Sequence, residues 1–182
     1  MAEITIQNVV ASTAIGDELD LDEISEIFEQ AEYEPEQFPG LVFRIADPKT
    51  AALIFRSGKV VLTGAKSVAA VHTAIGIVVN ELTAKGIAGL SGTPEIQVQN
   101  IVSTADLHSE LNLNAVAIGL GLENVEYEPE QFPGLIYRLK VPKVVVLLFG
   151  SGKLVVTGAK SKEDAMEAVD KIHAELQSLG LL

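Results

Sequence analysis

Thr63-Gly-Ala-Lys-Ser67 is the stretch of this chain that most invites a catalytic reading. It lies between a strand-like and a helix-like run, where a glycine-rich loop cradles phosphate, and Gly58 stands upstream. The spacing fails, because five residues separate Gly58 from Gly64 where such a loop has four, and Ala65 parts Gly64 from Lys66. Glu34 with Glu36, and Glu128 with Glu130, have the pairing of acid–base catalysis. No histidine, nucleophile or second acid accompanies them, and solvated turns are the simpler expectation. His72, His108 and His173 lack metal-ligand spacing, so no metal is expected. With no cysteine, disulfides, thiolate zinc sites, iron–sulfur clusters and thiol nucleophiles are excluded. Neither an enzyme nor a cofactor is expected.

The chemistry left is binding, and its pattern follows from an internal repeat. Tyr33-Glu-Pro-Glu-Gln-Phe-Pro-Gly-Leu41 returns unchanged as Tyr127 to Leu135, 94 residues on. Residues 32–67 and 126–161 are identical at 24 of 36 positions, including Ser-Gly-Lys and Thr-Gly-Ala-Lys-Ser. Further upstream the offset is 92, pairing Gln7-Asn8-Val9-Val10 with Gln99-Asn100-Ile101-Val102. Two copies of about 90 residues indicate a duplicated fold and not a solenoid. The expected division is residues 1–87, a Gly/Pro-bearing linker at 88–94, and residues 95–182, intertwined as one structural unit.

Each copy reads as strand, short helix, four strands, long helix. The first strands span Ile4 to Thr13 and Ile96 to Thr104, and Asp20 or Asn112 caps the short helix. Strand-like runs follow at 31–37, 41–47, 49–55 and 59–63, and again 94 residues on. The closing helix of the second copy opens at Ser161-Lys-Glu-Asp164 and carries Ala165, Val169, Ile172, Leu176 and Leu179 at helical spacing. Short turns between consecutive strands forbid parallel crossovers, so the class is α+β with an antiparallel sheet.

Strand side chains alternate between faces, and here both faces are apolar: Ala51, Leu53 and Phe55 on one side, Ala52 and Ile54 on the other. Helices can cover one face, leaving the other as a binding surface. The net charge of −12 over 182 residues argues, as an average, against nucleic acid. Its distribution argues the reverse. Residues 38–67 carry a local +4 and residues 132–161 a local +5, leaving −21 elsewhere. An apolar floor edged by cations suits duplex DNA entered from an opened minor groove. The competing reading is an interaction module whose apolar face meets another protein.

The duplicated Gln-Asn-Val-Val, Glu-Tyr-Glu-Pro-Glu-Gln-Phe-Pro-Gly-Leu, Ser-Gly-Lys and Thr-Gly-Ala-Lys-Ser segments resemble the TATA-box-binding proteins of archaeal and eukaryotic transcription, over nearly the whole chain. The resemblance implies a two-fold pseudo-symmetric saddle: a continuous antiparallel sheet of about ten strands with helices on the convex face. It implies a general transcription factor that binds the minor groove of double-stranded TATA-box DNA and nucleates initiation with a transcription factor B homologue and, indirectly, RNA polymerase. Phe38 with Phe55, and Phe132 with Phe149, match the family's intercalating wedges, which kink the duplex. Asn8, Thr63, Asn100 and Thr157 match polar groove contacts. Val10, Leu53, Val61, Val102, Leu147 and Val155 match apolar ones. Arg44, Lys49, Lys59, Lys66, Arg138, Lys143, Lys153 and Lys160 match phosphate contacts, and Glu128 and Glu130 a docking loop for the transcription factor B homologue.

The chain departs from some relatives at Gln37, where they carry a basic residue, and at Asp47, which intrudes among the first copy's lysines. Its acidity off the sheet suits an archaeal form. Met1 to Asn8 lack the basic start and apolar run of a secretion signal, and no apolar run reaches the ~20 residues of a membrane helix, so a cytoplasmic, nucleoid-associated location is expected and no membrane partner. Without DNA, the open apolar face could pair two copies as a homodimer.

Overall fold

A computed structural model describes residues 3–91 and 94–182. Met1 and Ala2 of the expected first half, and Gly92 and Thr93 of the expected linker, lie outside the described residues. The first copy folds as β1 (Thr5–Ala14), α1 (Leu21–Ile27), β2 (Ala31–Glu32), β3 (Leu41–Ile45), β4 (Thr50–Ile54), β5 (Lys59–Ala65) and α2 (Val68–Ala84). The second repeats it as β6 (Gln97–Asp106), α3 (Leu113–Leu120), β7 (Val125–Glu126), β8 (Leu135–Leu139), β9 (Val144–Leu148), β10 (Lys153–Ala159) and α4 (Lys162–Ser178).

Two compact units result. Asn8–Gln99 forms one, and the chain up to Gln7 joins Asn100–Leu182 in the other. Strands run β2-β3-β4-β5-β1 in the first and β7-β8-β9-β10-β6 in the second. Neighbouring strands within each run are antiparallel, as the short turns require. The start of each long strand belongs with the other copy: Gln7 Nε2 donates to Thr104 Oγ1 at 3.1 Å, and Gln99 Nε2 to Ser12 Oγ at 2.8 Å.

Local chemistry sets the helix boundaries. Asp20 and Asn112 accept from the backbone N–H groups of Glu23 and Ala115 at 3.1 and 3.2 Å, as expected of N-caps. Ser67 and Ser161 do the same for Ala70 and Asp164. The long helices close on a six-to-one bond, Ile87 N–H to Leu82 O and Leu181 N–H to Leu176 O, with Gly86 and Gly180 between. That closure leaves Leu179 outside α4 as its C-cap, half exposed, and not on the buried stripe where helical spacing put it.

The expected strand 31–37 is mostly a turn. Only Ala31 and Glu32 pair with a neighbour; beyond them the N–H groups of Gln37 and Phe38 both donate to Glu34 O, and Pro35 and Pro39 have no N–H for a ladder. Residues 125–126 and the turn after them behave identically.

The core lies between each half's sheet and its long helix. Ala52, Ile54, Val60 and Leu62 of the first copy, and Val146, Leu148, Leu154 and Val156 of the second, are fully buried. They face Val71, Ala74 and Val78 of α2, or Ala165, Ala168 and Ile172 of α4, which are buried too. Truncating one of these leucines or isoleucines to alanine costs about 2–5 kcal/mol, so this face tolerates little change. Among the described residues no helix is long and apolar enough to cross a membrane.

The copies differ at one packed contact between sheet and helix. Phe43 is buried edge-on against Phe28, with ring centroids 5.2 Å apart. Its counterpart Tyr137 donates its hydroxyl to Glu175 Oε2 at 3.3 Å. Burial first, then the charge and hydrogen bond of Glu175, raise the Tyr137 pKa above its ordinary value. A phenol with a raised folded-state pKa holds its proton longer when folded. Its contribution is complete below the unfolded value of about 10 and is lost as pH rises through the folded value. Tyr137→Phe should lower stability by about 1 kcal/mol at neutral pH. In denaturant titrations across pH, it should also flatten the alkaline decline seen with the wild-type chain.

Candidate nucleic-acid interface

The face of each sheet turned away from its helix carries the side chains the sequence singles out. On β3, β4, β5 and β1 the alternation leaves Val42, Leu53, Val61 and Ser12 half exposed, in one row: Val42 opposite Leu53, Leu53 opposite Val61, Val61 opposite Ser12. Ile136, Leu147, Val155 and Thr104 form the matching row of the second copy. Val10 and Val102 lie on the same face of β1 and β6, two residues from Asn8 and Asn100. Apart from Ser12 and Thr104 the rows are apolar, yet they stay half exposed.

A β-bulge sets the polar centre of each half. The β1–β5 register shifts between Val9 and Ala11, and the β10–β6 register between Val156 and Ala159, placing the extra residue at Thr63-Gly64 and Thr157-Gly158. Gly64 and Gly158 sit at φ of +96° and +93°, where a side chain is strained. Their N–H groups, freed from the ladder, donate to Asn8 Oδ1 at 2.7 Å and Asn100 Oδ1 at 2.6 Å. That bond fixes which way each carboxamide points. The Nδ2 group then donates one hydrogen to Thr63 Oγ1 at 3.3 Å, or to Thr157 Oγ1 at 3.2 Å. An amide nitrogen carries two hydrogens, so one remains for a ligand on the open face. The segment that resembled a phosphate loop is therefore a bulge followed by a helix cap, Ser67.

Phe38 and Phe55 meet edge to face with centroids 5.8 Å apart, and Phe132 and Phe149 at 5.9 Å. Phe38 is 40% exposed and Phe132 38%. Each pair is seated by a glycine that composition and periodicity did not reveal. A Cβ at Gly40 would lie 2.7 Å from Phe38 Cε2 and 3.0 Å from Phe55 Cε1; at Gly134 the values are 2.7 Å from Phe132 and 2.9 Å from Phe149. The signal was the unbroken Phe-Pro-Gly in both copies, where glycine leaves the space the rings occupy.

All eight expected phosphate-contacting cations are exposed. Arg44 lies 3.6 Å from Glu32 and Arg138 2.7 Å from Glu126. Exposed pairs of this kind are worth about 0–1 kcal/mol, so a phosphate can compete for either guanidinium. Glu128 and Glu130 are exposed on the turn that leads into Phe132, where Glu128 O accepts the N–H of Phe132 at 3.0 Å. The three histidines are exposed and scattered, and no described group of His, Asp or Glu is arranged to hold a metal.

Comparison with known proteins decides the family. The profile described as "Transcription factor TFIID (or TATA-binding protein, TBP)" matches residues 3–84 and 95–179. The chain belongs to the TATA-binding protein family. It is 66% identical over 179 residues to the TATA-box-binding protein of Haloarcula marismortui, covering 98% of this chain and 96% of that one. It is 61% identical to that of Archaeoglobus fulgidus over 99% and 98% of the two chains. The solved structure of Methanococcus jannaschii TBP matches with a TM-score of 0.88 and 58% identity, over 97% of this chain and 99% of that one. The fold is the family's, an open antiparallel sheet with four helices, and the family is one of transcription factors, not enzymes.

The glycine seats make a direct prediction. Gly134→Ala should drive Phe132 away from Phe149 and abolish NOEs between the two rings. Unfolding free energy should fall by no more than about 1 kcal/mol, because Phe132 can swing into solvent.

Proposed function

We propose that the open face binds the minor groove of TATA-box DNA as a general transcription initiation factor. The feature that supports this most is the carboxamide of Asn8 and of Asn100, present twice, held by a glycine N–H and a threonine hydroxyl and carrying a second Nδ2 hydrogen, on the strand face that also bears the apolar strip. The minor groove offers only acceptors at A·T pairs, adenine N3 and thymine O2, and the guanine amino group intrudes at G·C pairs. A donor on an apolar floor therefore favours A·T. Val10, Leu53 and Val61, with Val102, Leu147 and Val155, supply the floor, and Thr63 and Thr157 flank the donors.

The Phe pairs act as wedges in this reading. A ring entering between base pairs unstacks them and kinks the duplex, which is cheapest at flexible pyrimidine–purine steps such as TA. Phe38 and Phe132 lead, being the more exposed, with Phe55 and Phe149 behind them. The eight cations, Arg44, Lys49, Lys59, Lys66, Arg138, Lys143, Lys153 and Lys160, hold the backbones of the bent duplex. Specificity then comes mostly from deformability. Glu128 and Glu130 dock a transcription factor B homologue, through which RNA polymerase is recruited in the cytoplasm of an archaeal cell. The two repeats, residues 1–87 and 95–182, each take one half of the site.

Two measurements test the reading. In gel shifts, the wild-type chain should favour a TATA-containing duplex over a G·C-rich one at several salt concentrations. Asn100→Asp keeps an acceptor for the Gly158 N–H but removes the donor, and should weaken TATA binding about tenfold or more. Equal or absent binding to both duplexes by the wild-type chain sinks the DNA reading in favour of the protein-docking one. In the second, Phe132→Ala with Phe149→Ala should reduce DNA bending measured by energy transfer across the site. Bending equal to wild type removes the wedge assignment.

A further inference from the structure

The loops that join β3 to β4 and β8 to β9 are equivalent in position and unlike in charge. Ala46-Asp47-Pro48-Lys49 carries one acid and one cation, whereas Lys140-Val141-Pro142-Lys143 carries two cations and no acid. The first loop is therefore neutral and the second +2. Ala46, Asp47 and Lys49 are exposed, as are Lys140, Val141 and Lys143. Neighbouring acids do not cancel the difference. Glu123 and Glu126 line a hollow of about 430 Å³ together with Lys140 and Lys143. At the offset of 94 they correspond to Glu29 and Glu32, so this acidic background is common to both copies.

The loops are also braced by different groups. In the first, Thr50 Oγ1 donates to Pro48 O at 3.1 Å. In the second, Lys171 of α4 donates through Nζ to Val141 O. That bond brings a third ammonium to the loop, offset by Glu167 at 3.5 Å, and Ile77 stands at the equivalent place in α2. Lys49 and Lys143 are among the eight cations assigned above to the DNA backbones. Lys140 lies three residues from Lys143 in a tight loop, within reach of the same backbone. Asp47, two residues from Lys49, repels it.

We propose that Lys140 is a further phosphate-binding residue without a counterpart in the first copy, that Asp47 weakens the first copy's hold, and that this imbalance selects one of the two orientations in which two like halves can sit on a duplex. The inference rests on the DNA reading given above and supplies the residues that give it a direction. The coupling is through bending. A duplex half that bends readily is wrapped further and brings more phosphates to the loop, so extra cations gain most there. Pyrimidine–purine steps such as TA bend most cheaply, and runs of adenine are stiff. The second copy therefore takes the half richer in TA steps. Asp47 acts as the repulsive element of this choice, because the reversed complex would set it against the more tightly wrapped half. These charges are exposed, so the preference fades with salt, whose screening length is about 10 Å at roughly 0.1 M.

The test reads orientation directly. The chain has no cysteine, so Gln37→Cys, beside Phe38, can carry a single iron chelate that cuts nearby DNA. The duplex has TA steps in one half of its site and a run of adenines in the other. The labelled chain should cut the flank on the adenine side at least about threefold more than the opposite flank at low salt. Exchanging the loops by Ala46→Lys, Asp47→Val, Lys140→Ala and Val141→Asp leaves net charge unchanged and should equalise or reverse that ratio. All four positions are exposed, and an unchanged thermal midpoint confirms that the exchanged chain folds. Separately, Lys140→Ala should lower the slope of log K against log salt by about 1. A slope equal to wild type removes Lys140 from the interface. Even cutting by the labelled parent, or a parental ratio in the exchanged chain, overturns the orientation inference while leaving the DNA reading in place. No band shifted by the wild-type chain on the TATA duplex removes the DNA reading itself.

Discussion

The N–H groups of Gly64 and Gly158 are each released from the β ladder by a bulge and taken up by a side-chain carbonyl, that of Asn8 or Asn100. An unpaired backbone donor on a packed sheet is costly, about 1–3 kcal/mol, so the asparagine is in the first place a structural partner. The exchange has a second effect. With Oδ1 committed to the backbone, the carboxamide cannot flip, and its nitrogen is held against the hydroxyl of Thr63 or Thr157. The bond that repairs the ladder is thus also the one that orients the carboxamide. Replacing glycine at the bulge would strain the φ of +96° or +93°, and the orientation would be lost with the geometry.

The open face follows from the pleat. Each strand alternates its side chains, and one long helix per half covers one side only. Leu62 and Leu154 are sealed; Val61 and Val155, one residue away, are not. Keeping valine and leucine on the uncovered side forgoes the burial that would stabilise the monomer by about 1.5–3 kcal/mol per side chain. That unused burial becomes available when a ligand with an apolar, flattened surface is pressed against the strip. A kinked, unstacked minor groove presents such a surface, and a straight B-form groove is too narrow to do so.

Much of this was legible because the chain states it twice. The helix caps at Asp20, Asn112 and Ser161 and the antiparallel connectivity follow from residue type, spacing and recurrence, whereas Asn8 and Thr63 stood out only through the family resemblance. The bulge was not legible. Strict alternation assigns Thr63 and Ala65 to one face, yet Thr63 is open and Ala65 buried, because Gly64 shifts the register. Strand 31–37 was overread because its residues alternate like a strand, while two prolines and the Glu34 carbonyl impose a turn. Gly40 and Gly134 escaped notice because their role is steric. A glycine that makes room for two rings leaves no mark in hydropathy, only its unbroken place after Phe-Pro.

Duplication also explains why charge had to be read locally. The two sheet segments share four cations each and carry local charges of +4 and +5, whereas the rest of the chain holds the remaining −21. The two copies differ within the sheet at Phe43 against Tyr137, and off it at Asp47 against Val141 in the loop before β4 and β9 and at the acids of α1 against the apolar residues of α3. On the proposed DNA reading, a duplex with two alike backbones calls for the cations that the copies share, Arg44 with Arg138, Lys49 with Lys143, Lys59 with Lys153 and Lys66 with Lys160, whereas nothing in that reading calls for like helix surfaces.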